Sequence, residues 1–225
     1  MFFPIPMEVL NRANRGPVPV ANWLFIALNV LAYLLISPKH MWVGSGTGIL
    51  SIFTYAFAHE DFYHLLFNMW YLWVFGNAVN RRIGNGNYVL TCVGVILFVG
   101  ILGRVLSSEY LLGASGVVYA VLAITLMLMP SARVVIHYLA IFPLTLLIGL
   151  FQRPKYGLFW FLRWGTIQWI SIALVALFVL LEIFGILFWG LNWTNLGHLL
   201  GFVCGIAAVL MFPERITMKY KAGTF

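Results

Sequence analysis

Three polar clusters interrupt an otherwise apolar chain, and each carries residue types that can do chemistry. The first is His59-Glu60-Asp61-Phe62-Tyr63-His64 with Asn68, the second Gly113-Ala114-Ser115-Gly116, and the third Gly197-His198-Leu199-Leu200-Gly201 with Gly205. An isolated serine hydroxyl is a poor nucleophile at neutral pH, so a serine that attacks a carbonyl needs a base beside it, most often an imidazole. His198 can fill that place for Ser115. At about 100° per residue Gly201 and Gly205 share a helix face with His198, and a face without side chains can come close to another backbone. Its natural partner is the Gly113-to-Gly116 start of another helix, where the residues are also small. His64 and Asn68, four apart, lie on one face, and both can donate hydrogen bonds. With the Ser115 backbone N–H they could hold the oxyanion of a tetrahedral intermediate.

Each piece alone has a plainer reading. Gly-x-Ser-Gly is an ordinary packing unit between helices in lipid, where a serine can bond a carbonyl one turn back. A lone His198, or the pair His64 and Asn68, can simply tie helices together. All three clusters at one depth are harder to explain that way. His59-Glu60 also opens a near miss to the metalloprotease pattern His-Glu-x-x-His. Here His64 is five residues on, about 140° around a helix rather than about 40°, so the rings would not share a metal and no metal site is expected.

These clusters must be positioned by membrane helices. The 225 residues are 63% hydrophobic and 8% charged, which leaves too little polar surface to cover a water-soluble globule, so the outer face meets lipid. The net charge of +7 is read as Lys and Arg holding loops on the cytoplasmic side, not as a nucleic-acid footprint. Cys92 and Cys204 lie inside apolar runs and read as small buried hydrophobes. Arg12 and Arg15 before an apolar run imitate a signal peptide, but that run ends at Ser37-Pro38 without a small-x-small site and is read as a retained first span.

Apolar runs lie near 21–37, 62–79, 87–106, 114–130, 134–151, 167–190 and 194–212, each near the roughly 20 residues that cross a bilayer. The positive-inside rule removes one. If 134–151 crossed, Arg153, Lys155 and Arg163 would be external, so 131–166 is placed as a cytoplasmic, interface-hugging connection with Trp160, Trp164 and Trp169 at headgroup level. The expectation is an all-α integral membrane protein, a six-span helical bundle with both termini cytoplasmic. It is a single domain over 1–225: an N-terminal segment 1–20, a core 21–212 and a tail 213–225, with no repeat or second domain. The Gly-rich external loop 38–58 can lie partly in the membrane only if protein covers its backbone polar groups. Glu182 sits inside the fifth span. An intramembrane carboxyl is a functional hypothesis by default, and the plainer reading, a protonated or paired group near the external interface, ranks ahead of it.

At this point the residues carry a resemblance. His59-x4-His64-x3-Asn68 followed by Met69, Phe75-Gly76 and Arg81-Arg82, then Gly113-Ala114-Ser115-Gly116, then Gly197-His198-x2-Gly201-x3-Gly205, resembles the rhomboid family of intramembrane proteases over about 59–210. The resemblance implies a dyad of Ser115 and His198 without a third acidic member. It also implies an oxyanion hole completed by His64 and Asn68 with Gly113 in the same site, and a supporting His59 at the mouth of the cavity. Gly116, Gly201 and Gly205 would pack the helices. The reaction would be hydrolysis of peptide bonds in or near the transmembrane segments of other membrane proteins, in a lipid bilayer, without cofactor. A prokaryotic plasma membrane is the expected setting. The chain departs from the family pattern around Leu50-Ser51, where a Trp-Arg pair is common. Two other readings stay open: a proteolytically inactive relative that binds transmembrane segments, though such proteins typically lack the serine or the histidine, and a transporter, for which polar residues would mark a path across the midplane.

Overall fold

The computed structural model describes residues 2–10, 17–141 and 162–211. Helix α1 (Val20–Leu35) opens the membrane portion. A loop follows, carrying the short α2 (Ser51–Thr54) and a 3-10 turn (Tyr55–Phe57). Helix α3 (Phe62–Tyr71) runs through a π-helical segment (Leu72–Gly76) into α4 (Asn77–Ile83). Helix α5 (Asn85–Leu106) returns after a one-residue hinge at Gly84, whose φ of 85° favours glycine. The chain continues through α6 (Ser115–Leu128), α7 (Ser171–Trp189) and α8 (Trp193–Met211).

Helix α6 is the centre of the bundle. Val117, Val118 and every residue from Ala120 to Thr125 are buried, so its apolarity is spent on neighbouring helices. The opposite holds for α1 and α7. Leu24, Leu28, Leu31, Leu34 and Leu35 of α1, and Leu180, Leu181, Leu187 and Phe188 of α7, face outward. Such a continuous apolar exterior is unstable in water and suited to acyl chains. Among the described residues three helices, α5, α7 and α8, are long and apolar enough to cross a membrane, and α1 and α6 are shorter apolar helices.

Inside this shell an amide network locks α1 to its neighbours. Asn22 is fully buried. Its Nδ2 donates to the Leu72 carbonyl at 2.8 Å and to Asn77 Oδ1 at 2.9 Å, its backbone N–H donates to Asn80 Oδ1 at 3.0 Å, and its Oδ1 accepts the Tyr88 hydroxyl at 2.6 Å. The chain comes close enough here to require Gly76, because a Cβ on it would lie 2.6 Å from Asn22 Oδ1. Buried polar groups left unpaired cost about 1–3 kcal/mol each. Asn22→Leu, which strands the Tyr88 hydroxyl and two acceptors, is therefore expected to lower unfolding stability in detergent by roughly 2–4 kcal/mol. Tyr88→Phe, which strands one acceptor, should lower it by about 1 kcal/mol. Chemical or thermal unfolding of both variants checks this, and an unchanged midpoint for Asn22→Leu would refute it.

The helical expectation holds for the membrane bundle, to which the chain adds a small sheet that the expectation did not include. Among the described residues three strands form an antiparallel sheet in the order β1-β2-β3: β1 (Phe2–Leu10), β2 (Arg133–Ile141) and β3 (Leu162–Ile170). His137 pairs with Ile5 on one side and Thr166 on the other. The expected connection 131–166 thus begins and ends in strands, and residues 134–141, apolar enough to invite a seventh helix, form the middle strand. The β-branched run Val134-Val135-Ile136 explains the preference for extended backbone. Helix α7, the expected fifth span, starts at Ser171 rather than near 167 because 167–170 is still paired to β2. Ser171 N–H and Oγ both donate to the Ala132 carbonyl, at 2.7 and 2.9 Å, and so dock the start of α7 beside the end of α6. Trp169 is largely exposed; Trp160 and the tail 213–225 fall outside the described residues, and Trp164 is described in backbone only.

The 38–58 loop is braced by protein, as its apolar, Gly-rich sequence requires. Val43 and Leu111 exchange backbone hydrogen bonds of 2.9 and 2.8 Å, and Ser45 N–H donates to the Ser107 carbonyl at 3.1 Å. Where the family pattern would carry Trp-Arg, Leu50 points outward, while Ser51 is buried and donates to the Gly48 carbonyl at 2.6 Å.

Candidate active site

The site is built where the first turn of α6 meets α8. Ser115 is the first residue of α6, half-buried, after Ala114 as the cap. The preceding Gly113 has φ +114° and donates its N–H to the Tyr55 carbonyl at 2.9 Å, so the braced loop fixes the angle at which Ser115 enters its helix. A Cβ at Gly113 would lie 2.8 Å from His64 Nε2 and 3.7 Å from Asn68 Nδ2. Both predicted donors therefore stand against the turn that presents the serine, and glycine is required there for room as well as for φ. Asp61 caps the helix that carries both, its carboxylate accepting the His64 N–H at 2.8 Å.

Helix α8 comes against α6 through its glycines. A Cβ on Gly201 would collide with the Gly116 carbonyl oxygen, and one on Gly205 with that of Ala120. This contact turns His198 toward the face of α6 that carries Ser115 and Tyr119, which are one helical turn apart. The Tyr119 ring lies flat on the imidazole, centroids 4.3 Å apart and planes 9° from parallel. Among the described residues no hydrogen bond joins Ser115 to His198. The imidazole bonds through Nδ1 to Glu182 Oε2 at 3.1 Å, which leaves Nε2 as the nitrogen for a serine. Catalytic hydrogen bonds commonly tighten only when substrate arrives.

His59 is 1% exposed, its ring 5.0 Å from that of His64 and edge-on to it. Neither ring nitrogen has a hydrogen-bond partner among the described residues, and neither does Asn68 Nδ2. Burial first, and the neighbouring His64 second, push His59 down to about 4, so it is neutral at physiological pH.

The sequence reading missed two residues, Tyr119 and Asn195, and the link from Glu182 to His198. Tyr119 was within reach, since it lies four residues after Ser115, but an aromatic in an apolar helix raises no alarm. Asn195 and the link from Glu182 to His198 depend on how α7 and α8 are rotated, which spacing within one helix does not report. Glu182 is a paired carboxyl, bonded to His198 Nδ1, which is the plainer of the two readings its sequence position offered.

The rhomboid domain family matches residues 46–215. Relatives named rhomboid protease GlpG, from Salmonella choleraesuis strain SC-B67, Salmonella newport strain SL254 and Salmonella typhimurium strain LT2, are each 30% identical over 132 residues, which is 52% of this chain and 45% of theirs. The chain therefore spans about half the length of the curated relatives it matches. Since the family match runs through all three polar clusters and takes in the turn, the caps and the glycine face that assemble them, this integral membrane protein belongs to the rhomboid family.

Proposed function

We propose that the chain is an intramembrane serine protease that hydrolyses peptide bonds in or near the transmembrane segments of other membrane proteins. It would lie in a prokaryotic plasma membrane with six crossings and both termini cytoplasmic. The observation that carries the proposal is the backbone-to-backbone approach of Gly201 to Gly116, with Tyr119 stacked on His198 one turn beyond Ser115. It faces an imidazole toward the serine helix in a chain whose relatives are named proteases.

In this mechanism Ser115 Oγ attacks the scissile carbonyl carbon and its proton passes to His198 Nε2. The carbonyl oxygen takes the electron pair. His64 and Asn68 donate to that oxyanion together with the Ser115 N–H, which as a first-turn amide has no acceptor within its own helix. The unpartnered Asn68 Nδ2 is a donor in waiting. Gly113 supplies room and its N–H is already used on Tyr55. Collapse expels the amine, which takes the proton back from His198, and a water molecule then cleaves the acyl-enzyme by the same route in reverse. His59 packs edge-on against His64 as a neutral ring and orients it.

A fluorophosphonate probe tests this reading, because it reacts with a serine only when a base activates it. The expected result is a single covalent adduct on Ser115, located by mass spectrometry of protein labelled in detergent. No adduct, or an adduct elsewhere, would overturn the protease and favour a relative that only binds transmembrane segments.

A further inference from the structure

The mechanism above uses one nitrogen of His198, and the other is held by a carboxylate from a third helix. Glu182 of α7 is 9% exposed, amid outward-facing Leu180, Leu181, Ile183 and Phe184. Its Oε2 lies 3.1 Å from His198 Nδ1 and accepts the Tyr119 hydroxyl at 2.7 Å, while its Oε1 accepts Asn195 Nδ2 at 2.6 Å. An acidic group on a lipid-facing helix is costly and persists where it is paired. All three partners here can donate, which is the pattern that suits an ionised carboxylate, an acceptor only. Its partners are fixed in turn. Tyr119 is stacked on the imidazole, and Asn195 exchanges hydrogen bonds of 2.9 and 3.4 Å with Asn192 at the start of α8. The carboxylate is therefore oriented from both sides.

We propose that Glu182 is a positioning residue for the proteolytic reaction, an inference that rests on the reading of Ser115 and His198 given above. Its carboxylate accepts the Nδ1–H of His198 and so keeps the lone pair on Nε2, facing the serine. When Nε2 takes the Ser115 proton, the ring becomes an imidazolium beside an anion. Glu182 takes up no proton; its charge compensates the one that forms. The site then works as a Ser-His-Glu set drawn from α6, α8 and α7, with Tyr119 and Asn195 orienting the acid.

Glu182→Gln separates this role from a structural one, because glutamine keeps the volume and an acceptor oxygen but lacks the charge. The expected result is a roughly 10²- to 10⁴-fold fall in kcat on a reporter substrate with one transmembrane segment. KM should stay within about twofold, since the loss is confined to the transition state, and the unfolding midpoint should fall only slightly, because the glutamine oxygen still accepts from His198 and Tyr119 while Asn195 Nδ2 loses its acceptor. Fluorophosphonate labelling of Ser115 should slow in parallel. Wild-type kcat in Glu182→Gln would overturn the proposal, since a purely structural tie is restored by glutamine. Should that variant fail to fold, nitrogen-15 chemical shifts of His198 in the wild-type protein decide: a neutral ring protonated at Nδ1 is expected, and protonation at Nε2 overturns the proposal. Ser115→Ala run alongside distinguishes the failures. Cleavage surviving in Ser115→Ala defeats the protease reading itself, whereas a silent Ser115→Ala beside a fully active Glu182→Gln defeats only the role of Glu182.

Discussion

Ser115→Ala is expected to reduce cleavage of a reporter transmembrane substrate to background, a loss of roughly 10⁴-fold or more, with no loss of stability. Both halves follow from where the residue sits. As nucleophile Ser115 would have no substitute: among the described residues no hydrogen bond to another group ties up its hydroxyl, and no second hydroxyl occupies the first turn of α6. As a structural element it is dispensable. It stands half-buried at the first position of a helix capped by Ala114, and alanine is the best helix former. The measurement is substrate cleavage in detergent or vesicles beside a thermal unfolding curve. Cleavage at more than a few per cent of wild type would place the nucleophile elsewhere. A large fall in the unfolding midpoint would instead make Ser115 a packing residue, the plainer reading of Gly-x-Ser-Gly.

That plainer reading shows where sequence is informative and where it stops. The azimuth of a residue on its own helix is arithmetic, so the shared face of His198, Gly201 and Gly205 was legible, as was that of His64 and Asn68. Close approach was legible too, because glycines recurring at that spacing in an apolar run have few other uses. Relations between helices were not. Glu182 and His198 are sixteen positions apart, and nothing in either run says that α7 turns its one acidic residue inward onto α8. The sheet was hidden for a different reason. Apolar content alone does not separate a buried strand from a span, and charge placement removed 134–151 from the crossings without saying what it became. Strand β1 gave even less sign, since Phe2–Leu10 contains Pro4 and Pro6 and proline is poorly suited to any but an edge strand. An edge is where it lies.

Gly201→Val is expected to abolish proteolysis and to cost several kcal/mol of stability, and Gly201→Ala to lower activity roughly 100-fold. The reason is the identity of the atoms a side chain would meet. A Cβ on Gly201 collides with the Gly116 carbonyl oxygen and comes within 2.8 and 2.9 Å of the Gly116 carbonyl carbon and Cα. These are backbone atoms of the central helix, and no rotamer change moves them away. Relief requires α8 to back off from α6 by about 1 Å or to rotate, and His198 is one turn from the point of contact. A displacement of that size between nucleophile and base is enough to cost about two orders of magnitude. Other glycines serve as controls. A Cβ on Gly116, viewed from the opposite helix, would meet the Gly197 carbonyl oxygen at 3.6 Å, an ordinary contact, and a Cβ on Gly94 of α5 meets nothing within 4 Å. Gly116→Ala is therefore expected to fold and cleave far better than Gly201→Ala, although sequence spacing ranks the two glycines alike. Gly94→Ala should be neutral or stabilising by up to about 1 kcal/mol, because alanine favours the helix. Rates and unfolding midpoints of the three alanine variants measured side by side decide the matter: equal behaviour of Gly201→Ala and Gly94→Ala would mean that the contact between α6 and α8 does not set the position of His198.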